Sequence, residues 1–122
     1  MRTGIDLVEI GRIRASIQNP RFVERVYTPA EREFLFQRND PVPGLAANFA
    51  AKEAFSKALG TGVRGMKLNE IGVLRDELGA PYFELSGGAA RAAEGLSLSV
   101  SLSHTGDVAA AFVLAYSKKG DI

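Results

Sequence analysis

Residues 45–62 read LAANFAAKEAFSKALGTG, a run of alanine, phenylalanine and leucine into which a few charged side chains are set. At about 100° per residue, the apolar side chains fall almost all the way round a helix, which is typical of a helix that is largely buried. We therefore predict a long buried helix over residues 45–59, preceded by the turn-forming stretch NDPVPG (39–44) and ended by Gly60 and Gly62. The other elements of the fold have to cover this helix.

One face of the predicted helix carries Glu53 and Lys57, which are four residues apart and so lie side by side. Ala46 and Ala50 flank them, and such small side chains leave room for a ligand to approach. The pair is either part of a binding site or a solvent-facing ion pair that stabilises the helix by a few tenths of a kcal/mol. The helix alone does not decide between these two interpretations.

The segments around the helix predict an α+β fold in which an antiparallel sheet packs against it. Thr28, Pro29 and Glu31 supply an N-cap, a first-turn proline and a capping box, which together mark the start of another helix. In chain order the predicted elements are a strand TGIDLVEI (3–10), a helix YTPAEREFLFQR (27–38), a hairpin NEIGVLRDELGAPYFEL (69–85), a short helix GGAARAAEG (87–95) and a hairpin LSLSVSLSHTGDVAAAFVLAY (96–116).

The first predicted strand contains a carboxylate on an apolar face. Alternation places Asp6 on the same side as Val8 and Ile10, which is unusual for a carboxylate unless another group compensates it. Asp6 and Glu53 can meet in one cavity, and two carboxylates with phosphate oxygens and waters suit Mg²⁺. Lys57 beside them would hold a phosphate. The alternative for Asp6 is a hydrogen bond to the backbone at a helix start or a strand edge.

Length and composition are those of an ordinary globular domain. With 122 residues, of which 46% are hydrophobic and 24% charged, the chain is expected to form one domain over residues 1–122. The absence of cysteine excludes disulfides, thiolate metal sites and a cysteine nucleophile. No leader pattern and no apolar run of about 18 residues is present, so a soluble, cytoplasmic protein with no membrane partner is expected.

A short basic stretch carries four arginines against Glu24, although the net charge of the chain is only +1. These are Arg12, Arg14, Arg21 and Arg25. The excess indicates either an acidic partner, a phosphate or nucleic acid, or a solvated basic face that binds nothing. Because the net charge is low and no RNA-binding aromatic motif is visible, a nucleic-acid partner is not expected.

The only histidine, His104, stands in the turn SHTG (103–106) at the end of an alternating strand. Hydroxyls, an imidazole and backbone N–H groups meet there, which suits an anion. His104 is a candidate general base, a phosphate donor or an ordinary turn residue. The chain has no G-x-S-x-G motif, and GTGVRG (60–65) lacks the ending of a P-loop, so neither a serine hydrolase nor a P-loop nucleotidase is predicted.

Three stretches resemble the holo-acyl-carrier-protein synthases, the small class of 4′-phosphopantetheinyl transferases. They are GIDLVEIGRI (4–13), FAAKEAFSKALGTG (49–62) and SLSHTGDVAAAFV (101–113). The resemblance implies that the phosphopantetheine arm of coenzyme A is transferred to a serine of apo acyl carrier protein, with adenosine 3′,5′-bisphosphate as the other product. It also implies that Asp6 and Glu53 bind Mg²⁺ and that Lys57 contacts the phosphates. The incoming serine must lose its proton, and Glu53, directly or through a metal-bound water, is the candidate base.

The resemblance further implies homotrimers with active sites between subunits. Near the adenine and 3′-phosphate it places Pro81 and the turn residues Ser103, His104 and Thr105. The arginines that it assigns to carrier docking are Arg12, Arg21 and Arg25. The stretch 14–21 is one residue shorter than in relatives, with Pro20 inserted, so Arg12 and Arg21 are the docking residues in the expected register.

One position departs from the family pattern. Asn48 stands where many relatives carry an arginine, so binding of the 3′-phosphate is expected to rely on Lys52 or His104 instead. Lys52 points about 100° away from Glu53 on the helix, which also allows a rim contact to a neighbouring subunit.

Two further readings compete with a general bacterial transferase. A transferase that serves a polyketide or fatty-synthase carrier is not distinguished by the sequence. A structural oligomer in which Glu53 and Lys57 form only a salt bridge is the non-enzymatic alternative.

Overall fold

A three-stranded antiparallel sheet and a separate hairpin pack against one long helix in a computed structural model that describes residues 1–62 and 64–119. The predicted α+β class and the order of elements are confirmed. The elements are β1 (Arg2–Glu9), α1 (Ile10–Ser16), α2 (Pro20–Val26), α3 (Pro29–Leu35), α4 (Val42–Leu59), a 3₁₀ turn (Leu68–Glu70), β2 (Ile71–Arg75), β3 (Pro81–Leu85), α5 (Gly87–Ala92), β4 (Leu96–His104) and β5 (Val108–Ser117).

Helix α4 is buried along nearly its whole length, as predicted. Only Pro43, Glu53 and Lys57 of its residues are not buried. The helix starts at Val42, earlier than the predicted residue 45, because prolines are tolerated in the first turn, where the missing N–H has no helical partner. At the other end Gly60 takes the left-handed conformation, with φ 76°, that ends many helices.

Strand β1 lies unusually close to α4 because of a glycine. A Cβ at Gly4 would overlap the backbone oxygen of Ala54 and come within 2.7 Å of the backbone nitrogen of Ala58. Only glycine therefore allows this approach. The close contact brings the inward-facing side of β1, which includes Asp6, next to the one face of α4 that is not buried.

The larger sheet has the order β1-β5-β4, so β1 and β4 are both edge strands. Its inner face packs against α4 through small and branched side chains, which are Val8, Ala109, Ala111, Val113 and Ala115. Its outer face carries Ile5 paired with Phe112, and Leu7, all of them exposed. The smaller sheet is the β2–β3 hairpin.

Between β1 and α3 the chain forms two short helices, α1 and α2, and not one continuous helix. Pro20 begins α2, and Asn19 caps it by accepting a hydrogen bond from the backbone N–H of Arg21 at 3.0 Å. A proline inside a continuous helix would remove one backbone hydrogen bond and clash with the preceding turn, so the chain breaks before it. None of the helices in the described part of the chain is long and apolar enough to cross a membrane.

Candidate active site

The exposed face of α4 meets the buried face of β1 through an ion pair. Lys57 Nζ donates to Asp6 Oδ1 at 3.1 Å and to the Ile5 carbonyl oxygen at 2.9 Å. The Asp6 side chain is 20% exposed and that of Lys57 is 55% exposed, so the pair lies at the mouth of the contact between the two elements. Lys57 forms its ion pair with Asp6 on the strand, whereas a simple helix-surface pair would have joined it to Glu53.

Glu53 stands beside this pair and is half-buried. Burial raises the pKa of Glu53, and the neighbouring Asp6 carboxylate raises it further, while Lys57 and Arg12 act in the opposite direction. The two carboxylates are therefore close enough to repel each other. A cation bound between them would relieve that repulsion.

The donor set fits Mg²⁺ in a particular way. Within residues 1–62 and 64–119, no group of three or more His, Asp or Glu side chains is placed to hold a metal ion. Mg²⁺ commonly takes only one or two carboxylates from the protein and completes its shell with waters and substrate phosphates. Asp6 and Glu53 are consistent with such a site and not with a cage made of protein ligands alone.

A second group of predicted residues lines a cleft of about 240 Å³. It is formed by Pro81 at the start of β3, by Ser103 and His104 at the end of β4, and by Ala47 on α4. The His104 Nδ1 lies 3.1 Å from the Thr105 carbonyl oxygen, which can only accept, so Nε2 is the nitrogen that is available to a ligand. The structure thus brings Pro81, Ser103 and His104 together, although they are distant in sequence.

Thr105 does not line this cleft. Its hydroxyl oxygen accepts hydrogen bonds from the backbone N–H groups of Asp107 and Val108, both at 3.1 Å. These bonds shape the turn between β4 and β5. Thr105 therefore helps to hold the turn that follows His104, and a contact between Thr105 and a ligand stays a prediction.

Two residues of the cleft were missed by the sequence analysis. Arg38 and Arg75 line it together with His104. Arg38 was read as the end of a helix and Arg75 as part of a hairpin, and neither stands in a motif. The only hint in the sequence is indirect: Asn48 replaces an arginine that many relatives carry. In the structure the side-chain oxygen of Asn48 accepts a hydrogen bond from Arg75 Nη2 at 3.0 Å.

The expectation that Lys52 contacts a phosphate or a rim is wrong. Its side chain is fully buried, and Nζ donates to Glu31 Oε1 at 2.6 Å, to the Ile71 carbonyl oxygen at 2.6 Å and to the Leu68 carbonyl oxygen at 3.1 Å. These three acceptors use all three of its N–H groups. Burial lowers the pKa of Lys52, and the Glu31 carboxylate opposes that effect. Lys52 is a structural residue.

The three arginines proposed for carrier docking are all exposed. Arg12 lies on α1 with its guanidinium 5.4 Å from the centre of the Phe49 ring, and it is near enough to Glu53 to lower that residue's pKa. Arg21 and Arg25 lie on α2. A basic surface that begins at Arg12 and extends over α2 therefore lies next to the Asp6 and Glu53 carboxylates.

The comparisons with known proteins agree with this geometry. Residues 2–113 match the family model described as the 4′-phosphopantetheinyl transferase superfamily. Among curated relatives, a holo-[acyl-carrier-protein] synthase from Treponema denticola is 42% identical over 115 residues, covering 91% of this chain and 94% of the relative. A protein of the same name from Caldanaerobacter subterraneus subsp. tengcongensis is 43% identical over 116 residues, covering 92% and 91%.

Solved structures show the same likeness. The holo-[acyl-carrier-protein] synthase of Neisseria meningitidis superposes with a TM-score of 0.86 at 40% identity, covering 94% of this chain and 97% of that one. The Bacillus anthracis str. Ames enzyme, solved in complex with CoA (3′,5′-ADP), superposes with a TM-score of 0.84 at 32% identity, covering 96% of each chain.

The fold, with a carboxylate pair on one edge of the sheet and a basic cleft on the other, is that of a small phosphopantetheinyl transferase. The chain belongs to the 4′-phosphopantetheinyl transferase superfamily. These comparisons confirm the resemblance that the three motifs indicate. They also confirm the prediction that the protein is an enzyme of this class.

Proposed function

We propose that this protein transfers the 4′-phosphopantetheine group of coenzyme A to a serine of apo acyl carrier protein in a Mg²⁺-dependent reaction. The products are holo acyl carrier protein and adenosine 3′,5′-bisphosphate. The observation that carries the proposal is the convergence of Asp6, Glu53 and Lys57 at the contact of β1 and α4. The relatives at 42% and 43% identity bear the name of this activity.

In the reaction, the serine oxygen forms a bond to the phosphorus that carries the pantetheine arm. The bond from that phosphorus to the bridging oxygen of the pyrophosphate breaks, and the electron pair leaves with adenosine 3′,5′-bisphosphate. Such transfers depend mainly on positioning and on neutralising charge. Lys57, held by Asp6 at 3.1 Å, is placed to orient a phosphate oxygen. Mg²⁺ held by Asp6 and Glu53 would supply charge neutralisation on the pyrophosphate.

Glu53 is our candidate for the group that takes the serine proton. Burial and the adjacent Asp6 raise its pKa, and a base works best when its pKa approaches the working pH. Asp6 comes from a strand that is pressed against α4 at Gly4, so its carboxylate is the more rigidly placed of the two.

The two ends of coenzyme A would lie at different parts of the domain. The pyrophosphate belongs with Asp6, Glu53 and Lys57, and the adenosine end belongs in the cleft at Pro81 and His104. The exposed Arg12, Arg21 and Arg25 would bind the acidic surface of the carrier.

We also propose a homotrimer with active sites between subunits. The outer face of the β1-β5-β4 sheet carries an apolar patch in which Ile5 is 60%, Leu7 67% and Phe112 43% exposed. A second copy of the chain is its proposed occupant. The Asp6 and Glu53 carboxylates lie beside edge strand β1, and the cleft lies beside edge strand β4. Because each edge strand has a neighbour on one side only, both parts of the site are open to another subunit. We also propose that the protein acts in fatty acid synthesis in the cytoplasm, where the carrier proteins are made and used.

The test is to incubate the protein with coenzyme A, Mg²⁺ and apo acyl carrier protein and to weigh the carrier by mass spectrometry. A gain of one phosphopantetheine group that EDTA prevents is the expected result. Carriers from fatty acid and polyketide synthesis, run side by side, identify the partner. A folded protein that modifies none of them would overturn the proposal and leave the structural oligomer as its role.

A further inference from the structure

The guanidinium of Arg12 lies over an aromatic ring within the proposed carrier-docking surface. Its central carbon is 5.4 Å from the centre of the Phe49 ring, although Arg12 itself is exposed on α1. A guanidinium is attracted to the face of an aromatic ring and packs flat against it. Phe49 is only 6% exposed and belongs to the core, so a buried ring of α4 supports an arginine at the surface.

The Phe49 ring is itself part of a series of aromatic contacts. It stacks against Phe22 of α2, with the ring centres 6.1 Å apart and the ring planes 17° apart. Phe22 in turn meets Tyr27 edge-on at 6.3 Å, and the Tyr27 hydroxyl donates to the Leu45 carbonyl oxygen at 2.8 Å. One ring of α4 therefore joins α1, which carries Arg12, to α2, which carries the other two proposed docking arginines.

The next arginine of α1 is held in a different way. Arg14 donates to both carboxylate oxygens of Asp40, at 3.2 Å and 3.0 Å, so its charge is already paired within the chain. None of the ion pairs within residues 1–62 and 64–119 involves Arg12. Stacking uses the face of a guanidinium and leaves its N–H groups, which lie in the plane, able to donate to a carboxylate. Arg12 is thus both fixed and able to bind an acidic partner.

The same ring relates this arginine to the carboxylate that is proposed as the base. Phe49 and Glu53 are four residues apart on α4, so they lie on the same side of the helix. An unrestrained arginine side chain loses rotamer freedom when a partner binds it, and that loss weakens binding. Because Arg12 already rests on a ring, it loses less, and the carrier binds more tightly next to Glu53.

We infer that Phe49 is the positioning residue of the carrier-docking surface: its ring holds the Arg12 guanidinium in the orientation that binds an acidic side chain of the carrier. The inference rests on the proposed function and names a core residue of α4 that acts on the carrier only through Arg12. Phe22 supports the ring from α2.

The test is a double-mutant cycle on the affinity for acyl carrier protein, measured by calorimetry with a carrier whose acceptor serine is replaced by alanine. Phe49→Leu is expected to raise Kd about two- to fivefold, the factor that one cation–π contact at an exposed site contributes. In the Arg12→Gln background the same substitution should have no further effect, because the group that Phe49 positions is then absent. KM for coenzyme A should stay the same in Phe49→Leu.

Phe34→Leu is the matched control. Phe34 lies beneath another guanidinium, that of Arg38 at 5.1 Å, but it belongs to α3, which carries none of the docking arginines. Its substitution should leave Kd for the carrier unchanged. Arg12→Lys keeps the charge and loses the flat guanidinium, so it should weaken binding by a similar factor. Because Arg12 is exposed, this variant decides the question even if Phe49→Leu prevents folding.

A loss in Phe49→Leu that persists in full in the Arg12→Gln background would overturn the inference, because the ring would then act on the fold and not through Arg12. Full affinity in Arg12→Lys would overturn it as well. If the wild type modifies no carrier, the proposed function fails, and the binding cycle still gives a separate answer. Carrier binding with the expected coupling would support the positioning role, and no binding of the carrier by the wild type would overturn it too.

Discussion

Lys52 Nζ lies 2.6 Å from Glu31 Oε1 in the interior of the domain, and both side chains are completely buried. The same carboxylate accepts from the backbone N–H of Thr28 at 2.9 Å and from Asn48 at 2.8 Å. This ion pair therefore joins α3, α4 and the start of β2. Lys52, which was one candidate for binding the 3′-phosphate in place of the missing arginine, is part of the core that holds the substrate residues in place.

The buried pair predicts a large loss of stability when one partner is removed. Lys52→Met should lower the free energy of unfolding by about 3–5 kcal/mol, because the Glu31 carboxylate would remain buried without its counter-charge. Urea denaturation measures the change. Removing both charges in Glu31→Gln/Lys52→Met should recover part of the loss. A stable Lys52→Met protein whose KM for coenzyme A is raised would restore Lys52 to the substrate site.

Glu53 predicts opposite effects on activity and stability. Glu53→Gln should abolish turnover and raise the melting temperature at neutral pH. The pKa of Glu53 is raised in the folded protein, so the folded state holds this proton more tightly than the unfolded state does. Its contribution to stability is present at low pH and is lost as the pH rises through the raised pKa. Turnover by the wild type should increase over the same pH range as the base loses its proton.

Thermal melts of Glu53→Gln and wild type across that pH range check the prediction. Glu9→Gln is the control, because Glu9 is an exposed glutamate on β1. A lower melting temperature for Glu53→Gln at neutral pH, with Glu9→Gln unchanged, would contradict it.

We expect a substitution at Asp6 to change the Mg²⁺ requirement of the enzyme. Asp6→Asn should leave the fold intact and increase the Mg²⁺ concentration needed for half-maximal activity, because an amide is a weaker ligand than a carboxylate for this ion. The measurement is a Mg²⁺ titration of turnover, again with Glu9→Gln as the control on the same strand. An unchanged Mg²⁺ requirement would remove Asp6 from the metal site.

The exposed arginines of α2 predict a separable effect on the carrier. Arg21→Glu should raise KM for the carrier several-fold, more at low ionic strength than at high, and leave KM for coenzyme A unchanged. Arg91→Glu on α5 is the control with the same charge reversal. A parallel rise in both KM values would mean that Arg21 serves the coenzyme or the fold.

The apolar outer face of the sheet predicts that assembly can be broken by one charge. Leu7→Glu should yield monomers in light scattering after size-exclusion chromatography, because it would bury an unpaired carboxylate between subunits. Leu78→Glu is the control, since Leu78 is 95% exposed at the tip of the β2–β3 hairpin. Assembly of Leu7→Glu as in the wild type would exclude this face as the interface.

Mixing two inactive variants then tests whether the active site is shared. Glu53→Gln changes the carboxylate pair at the contact of β1 and α4, and His104→Ala changes the cleft. If one site takes these two parts from different subunits, mixed oligomers should regain part of the activity that neither variant has alone. No recovery in oligomers shown to be mixed would place both parts in one chain.

The local pattern of the chain predicted most of the elements. The Thr28–Glu31 capping box and the alternation in β1 and β4 are contained within a few residues each, and the structure confirms them. The motif residues Asp6, Glu53 and Lys57 could be selected in the same way, because a carboxylate or lysine at a buried-looking position is visible without knowing its neighbours. The end of α1 and the start of α2 at Pro20 were indicated in the sequence only by the inserted proline.

Helix period, capping, strand alternation and the three motifs are short-range properties, so the family, most of the elements and the residues Asp6, Glu53 and Lys57 could be predicted from the chain alone. The burial of Lys52 against Glu31 and the ion pair between Lys57 and Asp6 became apparent only in the folded domain. It alone brought Arg38 and Arg75 to the cleft of His104. Burial, ion pairing and the position of a guanidinium depend on which elements pack against one another, and such contacts join residues that are far apart along the chain.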